Sequence, residues 1–99
     1  MIDLARKSAI FGKIKVQIDL IISRADNVTD ICEMKFYDGE FATNKAEYEN
    51  LQRRQRVFKQ YSEVKGTVHI VLVTTYGLKQ NSYSSVFQNV VTLEDLFAG

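Results

Sequence analysis

The chain has 99 residues, of which 45% are hydrophobic and 25% charged, with a net charge of +1. That length supports a single domain with one core, and that balance excludes a disordered or fibrous chain. The near-zero charge excludes a global field that would drive the protein onto nucleic acid or acidic lipid, so any such contact must come from a local patch.

Residues 1–12 place Ile2, Ala5, Ala9 and Ile10 at helical spacing with Gly12 as a C-cap, which predicts a short N-terminal helix. From 14 to 24 the chain alternates, with Ile14, Val16, Ile18, Leu20 and Ile22 on one face and Lys15, Gln17, Asp19, Ile21 and Ser23 on the other. This is the pattern of a half-buried strand. Residues 28–37 repeat it, placing Cys32 and Met34 on one face and Glu33 and Lys35 together on the other.

Ala25, Asp26 and Asn27 separate the two strands, and Asn tolerates a positive φ, so an antiparallel hairpin is expected. The parity of its loop matters, because a slip of one residue reverses every side chain. A two-residue loop sets Asp19 opposite Met34. A three-residue loop sets Arg24 opposite Val28 and Asp19 opposite Glu33, so that Asp19, Glu33 and Lys35 converge, and on that ground an odd loop or a bulge is predicted.

Residues 43–64 change period, with Tyr48, Leu51, Phe58 and Tyr61 in one stripe and Val57 and Val64 beside it. A long amphipathic helix follows, capped by Thr43 or Asn44 with Glu47 in a capping box and closed by Gly66. Residues 67–75 form a nearly continuous β-branched run, the mark of a strand covered on both faces. A last strand spans about 86–91, and Thr92 with Asp95 signals a short terminal helix through Phe97. The predicted class is α/β (α+β), with a mixed sheet of about four strands under one long helix.

The lone Cys32 excludes an intrachain disulfide, and no signal-peptide pattern is present, so a cytoplasmic setting is expected. No apolar run approaches the ~20 residues of a transmembrane helix, and no membrane partner is expected. A domain this small buries about 60–65% of its surface, so self-association is expected to help it.

Asp19, Glu33 and Lys35 are the chemical constellation. Two carboxylates on adjacent strands form a hard-oxygen site for Mg²⁺ or Mn²⁺, and a lysine beside them can position water or stabilise a charged transition state. That is the chemistry of phosphodiester hydrolysis. An Asp followed on the neighbouring strand by an acid-x-Lys, here Asp19 in IDLII and Glu33 and Lys35 in CEMK, resembles the PD-(D/E)xK nuclease superfamily. The resemblance implies a restriction-endonuclease-like core, with Asp19 and Glu33 as metal ligands and catalysis by Asp19, Glu33 and Lys35 on nucleic acid.

QIDLIISRADNVTDICEMKFYDGEF and VTTYGLKQNSYSSVFQNVVTLEDLF further resemble the C-terminal nuclease-like domain of bacterial AAA-type ATPases, over roughly residues 16–97. An ATPase module precedes the domain in that family, which makes an ATPase domain an implied partner. No Gly-x-x-x-x-Gly-Lys-Ser/Thr phosphate loop occurs in this sequence. The family core opens with a helix carrying a further acid and then a strand. The short lead before Asp19 is therefore expected to be a truncated version, with its first strand missing or shortened, Asp3 as a stand-in for the helix acid, and a second copy completing the sheet edge.

Each feature also has a plainer reading. Asp19, Glu33 and Lys35 equally suit an exposed sheet face with a cross-strand ion pair, which makes the domain a noncatalytic interaction or regulatory module. Gln17 on the Asp19 face is an accessory candidate or an ordinary polar strand residue. Arg53, Arg54, Arg56 and Lys59 cluster on the helix; Arg53, Arg56 and Lys59 are candidate phosphate contacts, and a solvated face with Glu49 and Arg53 at i,i+4 is the simpler account. Cys32 reads as a buried small hydrophobe, and His69, without partners in sequence, as structural.

Overall fold

The computed structural model describes residues 3–11, 14–62 and 64–97, with side chains from 18 to 62 and from 64 to 95. Its elements in chain order are strand β1 (Asp3–Phe11), strand β2 (Ile14–Ser23), strand β3 (Val28–Lys35), helix α1 (Lys45–Tyr61), strand β4 (Thr67–Thr74), strand β5 (Asn89–Thr92) and helix α2 (Leu93–Phe97). A 3₁₀ turn at Ser84–Val86 precedes β5. The strands form one five-stranded mixed sheet in the order β1-β2-β3-β4-β5. β1 pairs with β2 and β2 with β3 in antiparallel fashion, whereas β3, β4 and β5 are mutually parallel. The architecture is α+β with one long helix. Among the described residues no helix is long and apolar enough to cross a membrane.

The expected N-terminal helix is a strand over Asp3–Phe11, and Ile2 and Gly12 lie outside the described residues. Pairing along β2 satisfies the backbone of this segment, and that tertiary gain overrides a helical spacing resting on small residues. The edge of β2 expected to await a second copy is thus covered by the chain's own β1. A strand of nine residues, Asp3–Phe11, precedes β2 where a missing or shortened one was expected.

The hairpin between β2 and β3 has the odd loop that the facing argument required. Arg24 N–H donates to the Val28 carbonyl at 2.9 Å, and Asn27 adopts φ 65°. The ladder runs from Ser23↔Thr29 to Leu20↔Cys32. Behind the turn, Asn27 O accepts Thr67 N–H at 3.3 Å, which ties the hairpin to the start of β4.

The sheet carries apolar residues on both faces. Leu51, Val57 and Phe58 of α1 pack on Ile18, Ile31, Val68, Ile70 and Leu72 of the sheet, joined by Phe41, Val86 and Phe87. On the opposite face Cys32, Val71 and Val73 pack with Leu20, Ile22, Met34 and Val91. β4 feeds both clusters alternately, as its continuous β-branched run predicted. Tyr61, placed by its spacing in the apolar stripe, is the last residue of the helix and is 44% exposed.

Asn44 caps α1 by accepting the Glu47 N–H at 2.9 Å, and the helix ends at Ser62 rather than at Gly66. Gly66 serves a different purpose. Its φ is +92°, and a Cβ there would sit 2.2 Å from Asn27 O, so only glycine lets the chain pass the hairpin into β4. At the other end of the chain, Thr92 and Asp95 form a reciprocal capping box at 3.0 and 3.1 Å.

Candidate active site on strands two and three

A β-bulge positions Asp19. Ala5 opposes Ile21 but Lys7 opposes Ile18, so β2 spends one extra residue against β1 at Asp19 and Leu20. Both Ile18 and Ile21 therefore enter the core beneath α1, while Leu20 and Ile22 join the opposite face. The single alternating face expected for β2 is split at Asp19. The ladder with β3 stops at Leu20↔Cys32, and there the Asp19 carboxylate replaces a backbone acceptor, taking Met34 N–H on Oδ2 at 3.0 Å.

Glu33 and Lys35 occupy one face of β3, as expected, but that face looks onto α1 and not into open solvent. Glu33 is 8% exposed. Its Oε2 accepts Arg54 Nη1 at 2.8 Å and its Oε1 lies 3.3 Å from Lys35 Nζ. Lys35 Nζ is also 3.4 Å from Glu47 Oε1 and 5.9 Å from the centre of the Phe41 ring. Burial lowers the Lys35 pKa, but Glu47 and then Glu33 outweigh it, and the net displacement is upward.

Glu33, Lys35, Glu47 and Arg54 thus form one alternating chain of charges between sheet and helix. Asp19 belongs to none of its ion pairs; it reaches the site through the backbone of Met34, the residue between Glu33 and Lys35. Asp19 also raises the pKa of Cys32, after burial and Asp30, to about 11. Cys32 is 2% exposed and free, and lies on the face away from Glu33, as its sequence position indicated.

From sequence Arg54 reads only as part of the basic helix cluster and Glu47 only as part of the helix cap, although a signal for their place in the site exists. Glu47, Leu51, Arg54 and Phe58 share one helical stripe, and two charges in register with buried Leu51 and Phe58 must meet charges on the sheet. Arg54 therefore leaves the solvated face to which the basic cluster assigned it. Arg53 is exposed, and Arg56 and Lys59 line an open cleft of about 420 Å³ with Gln52, Gln55, Gly66 and Thr67 at the far end of α1. The Gln17 side chain and Asp3 side chain lie outside the described residues; Gln17 pairs through its backbone with Ser8. His69 stands 4.0 Å from Asp30 on β3, an acid that also meets Arg24 at 3.5 Å.

The donor chemistry of Asp19 and Glu33 fits a hard divalent cation. Among the described residues no group of three or more His, Cys, Asp and Glu side chains is gathered. Both Glu33 oxygens already face cationic side chains. Comparison with protein-family models finds no match, and neither curated proteins nor solved structures provide one.

Proposed function

We propose that the chain is a PD-(D/E)xK-type nuclease-like domain with a restriction-endonuclease-like core, associated with an AAA-type ATPase and directed at phosphodiester bonds of nucleic acid. One observation carries this reading. The Asp19 carboxylate is bonded to Met34 N–H at 3.0 Å, between Glu33 and Lys35, whose side chains meet at 3.3 Å. Asp19 and Glu33 are the residues that would hold Mg²⁺ or Mn²⁺, which when bound supplies Lewis acidity toward a phosphoryl oxygen and a more acidic water.

Lys35 takes a defined role within this proposal. The upward displacement of its pKa keeps it charged at neutral pH. A permanently cationic lysine suits stabilisation of negative charge gathering on a phosphate better than proton abstraction. Glu47 and Glu33 hold it in place from both sides. The test is nicking of supercoiled DNA in Mg²⁺ or Mn²⁺. Wild type is expected to exceed Lys35→Ala and Asp19→Ala, and equal rates for all three would overturn the proposal.

A second reading rests on the 2.8 Å pair of Glu33 with Arg54. A carboxylate already neutralised by an arginine suits a noncatalytic interaction or regulatory module, in which the charge chain docks α1 on the sheet. Absence of nicking above Lys35→Ala would favour this reading.

A further inference from the structure

Arg54 links the two readings, and it lies outside the three-residue motif. Glu33 is almost entirely removed from water, and a carboxylate there requires a compensating cation. Arg54 supplies that charge from the middle of α1, at 2.8 Å from Oε2. Its guanidinium cannot lose its proton, so the charge leaves Glu33 only if the side chain itself moves.

The surroundings strengthen the hold. Ile18, Ile31, Leu51 and Ile70 line a small cavity of about 10 Å³ beside the pair, an apolar wall that weakens screening. The Arg54 side chain nevertheless remains 24% exposed. It therefore has a path into solvent that does not require α1 to unfold.

We infer that Arg54 is a latch on Glu33: it occupies the carboxylate as an internal counter-cation, and a divalent metal ion engages Glu33 only as Arg54 swings away. The inference rests on the proposed metal site. A metal ion approaching Glu33 meets a fixed positive charge at hydrogen-bond distance from the oxygen it needs, so Arg54 and the metal compete for one ligand. Lys35 differs in this respect, because its second partner Glu47 holds it on the opposite oxygen, Oε1. Whatever draws Arg54 outward, such as a phosphate group of a bound strand, then loads the site, and metal binding becomes coupled to substrate.

The experiment is a Mn²⁺ titration followed by electron paramagnetic resonance, with thermal melts by circular dichroism in chelator and in Mn²⁺. It uses wild type, Arg54→Gln, Glu33→Gln and the double variant. Arg54→Gln is expected to bind Mn²⁺ at least tenfold more tightly than wild type. Its melting temperature, lowered in chelator, should recover in Mn²⁺, and Glu33→Gln should abolish both effects.

Equal Mn²⁺ affinity of wild type and Arg54→Gln, with loss in Glu33→Gln, would overturn the latch while leaving the metal site standing. Mn²⁺ binding that is absent or indifferent to Glu33→Gln would overturn both. If Arg54→Gln is unfolded in chelator, folding driven by Mn²⁺ supports the latch and its failure to fold in Mn²⁺ overturns it.

Discussion

The Asp19 carboxylate accepts the Met34 N–H across the fork where β2 and β3 part. The bond ties a bulge on one strand to the residue between the two charges of the other. It makes Asp19 a structural acceptor as well as a candidate metal ligand. Asp19→Ala is expected to lower stability by about 1–3 kcal/mol, the cost of an unpaired backbone donor away from water. Asp19→Asn retains an oxygen there and should lose less than half as much. Urea denaturation of the two variants measures the difference.

The charge chain between β3 and α1 predicts unequal costs along its length. Glu33→Gln leaves Arg54 and Lys35 without their shared carboxylate, and should cost about 2–3 kcal/mol, below the range for fully buried pairs because Arg54 keeps partial access to water. Glu47→Gln removes a more open partner of Lys35 and should cost less than about 1 kcal/mol. A reversed order in urea denaturation would show that Glu33 is not the centre of the network.

Cys32 predicts an alkaline weakness. Burial, then Asp30 and Asp19, lift its pKa from 9.0 to about 11, so the unfolded chain releases this proton before the folded one does. Stability therefore falls as pH rises from 9 toward 11, by an amount on the order of 2 kcal/mol. Cys32→Val should flatten that part of the profile. In the native protein at pH 8 the thiol is expected to resist iodoacetamide until denaturant is added.

Lys35 adds a second alkaline loss at higher pH. Its folded pKa lies above the ordinary 10.5 despite the opposing effect of burial, so its contribution is complete below 10.5 and disappears as pH rises through the folded value. Lys35→Met is expected to remove this loss while leaving the one due to Cys32. Stability measured against pH in both variants separates the two groups.

Gly66 is held to glycine by the hairpin it touches. With φ at +92° and Asn27 O at 2.2 Å from any added Cβ, Gly66→Ala should destabilise by about 2 kcal/mol or more. Gly39, which has open space around it, should accept alanine with far less effect. Thermal melts of the two substitutions test the contrast.

From residue 14 onward the strands and helices were legible because long alternating or helical runs are bounded by local signals: Asn27 at the hairpin, Asn44 before α1, Thr92 before α2. β1 was not legible. Its order comes from hydrogen bonds to β2, which no spacing within residues 3–11 encodes. The adjacency of Glu33 and Lys35 followed from strand period alone, whereas the arrival of Arg54 depended on how α1 crosses the sheet.

The sequence by itself determined the shared face of Glu33 and Lys35 and the burial of Cys32, because each follows from side-chain period within one strand, and it left the hairpin loop open between two and three residues. Only the tertiary structure decided that β1 covers β2, that a bulge turns Asp19 toward Met34, and that Arg54 neutralises Glu33. These outcomes depend on satisfying backbone groups and buried charge between segments distant in the chain, and that requirement exists only once the segments have met.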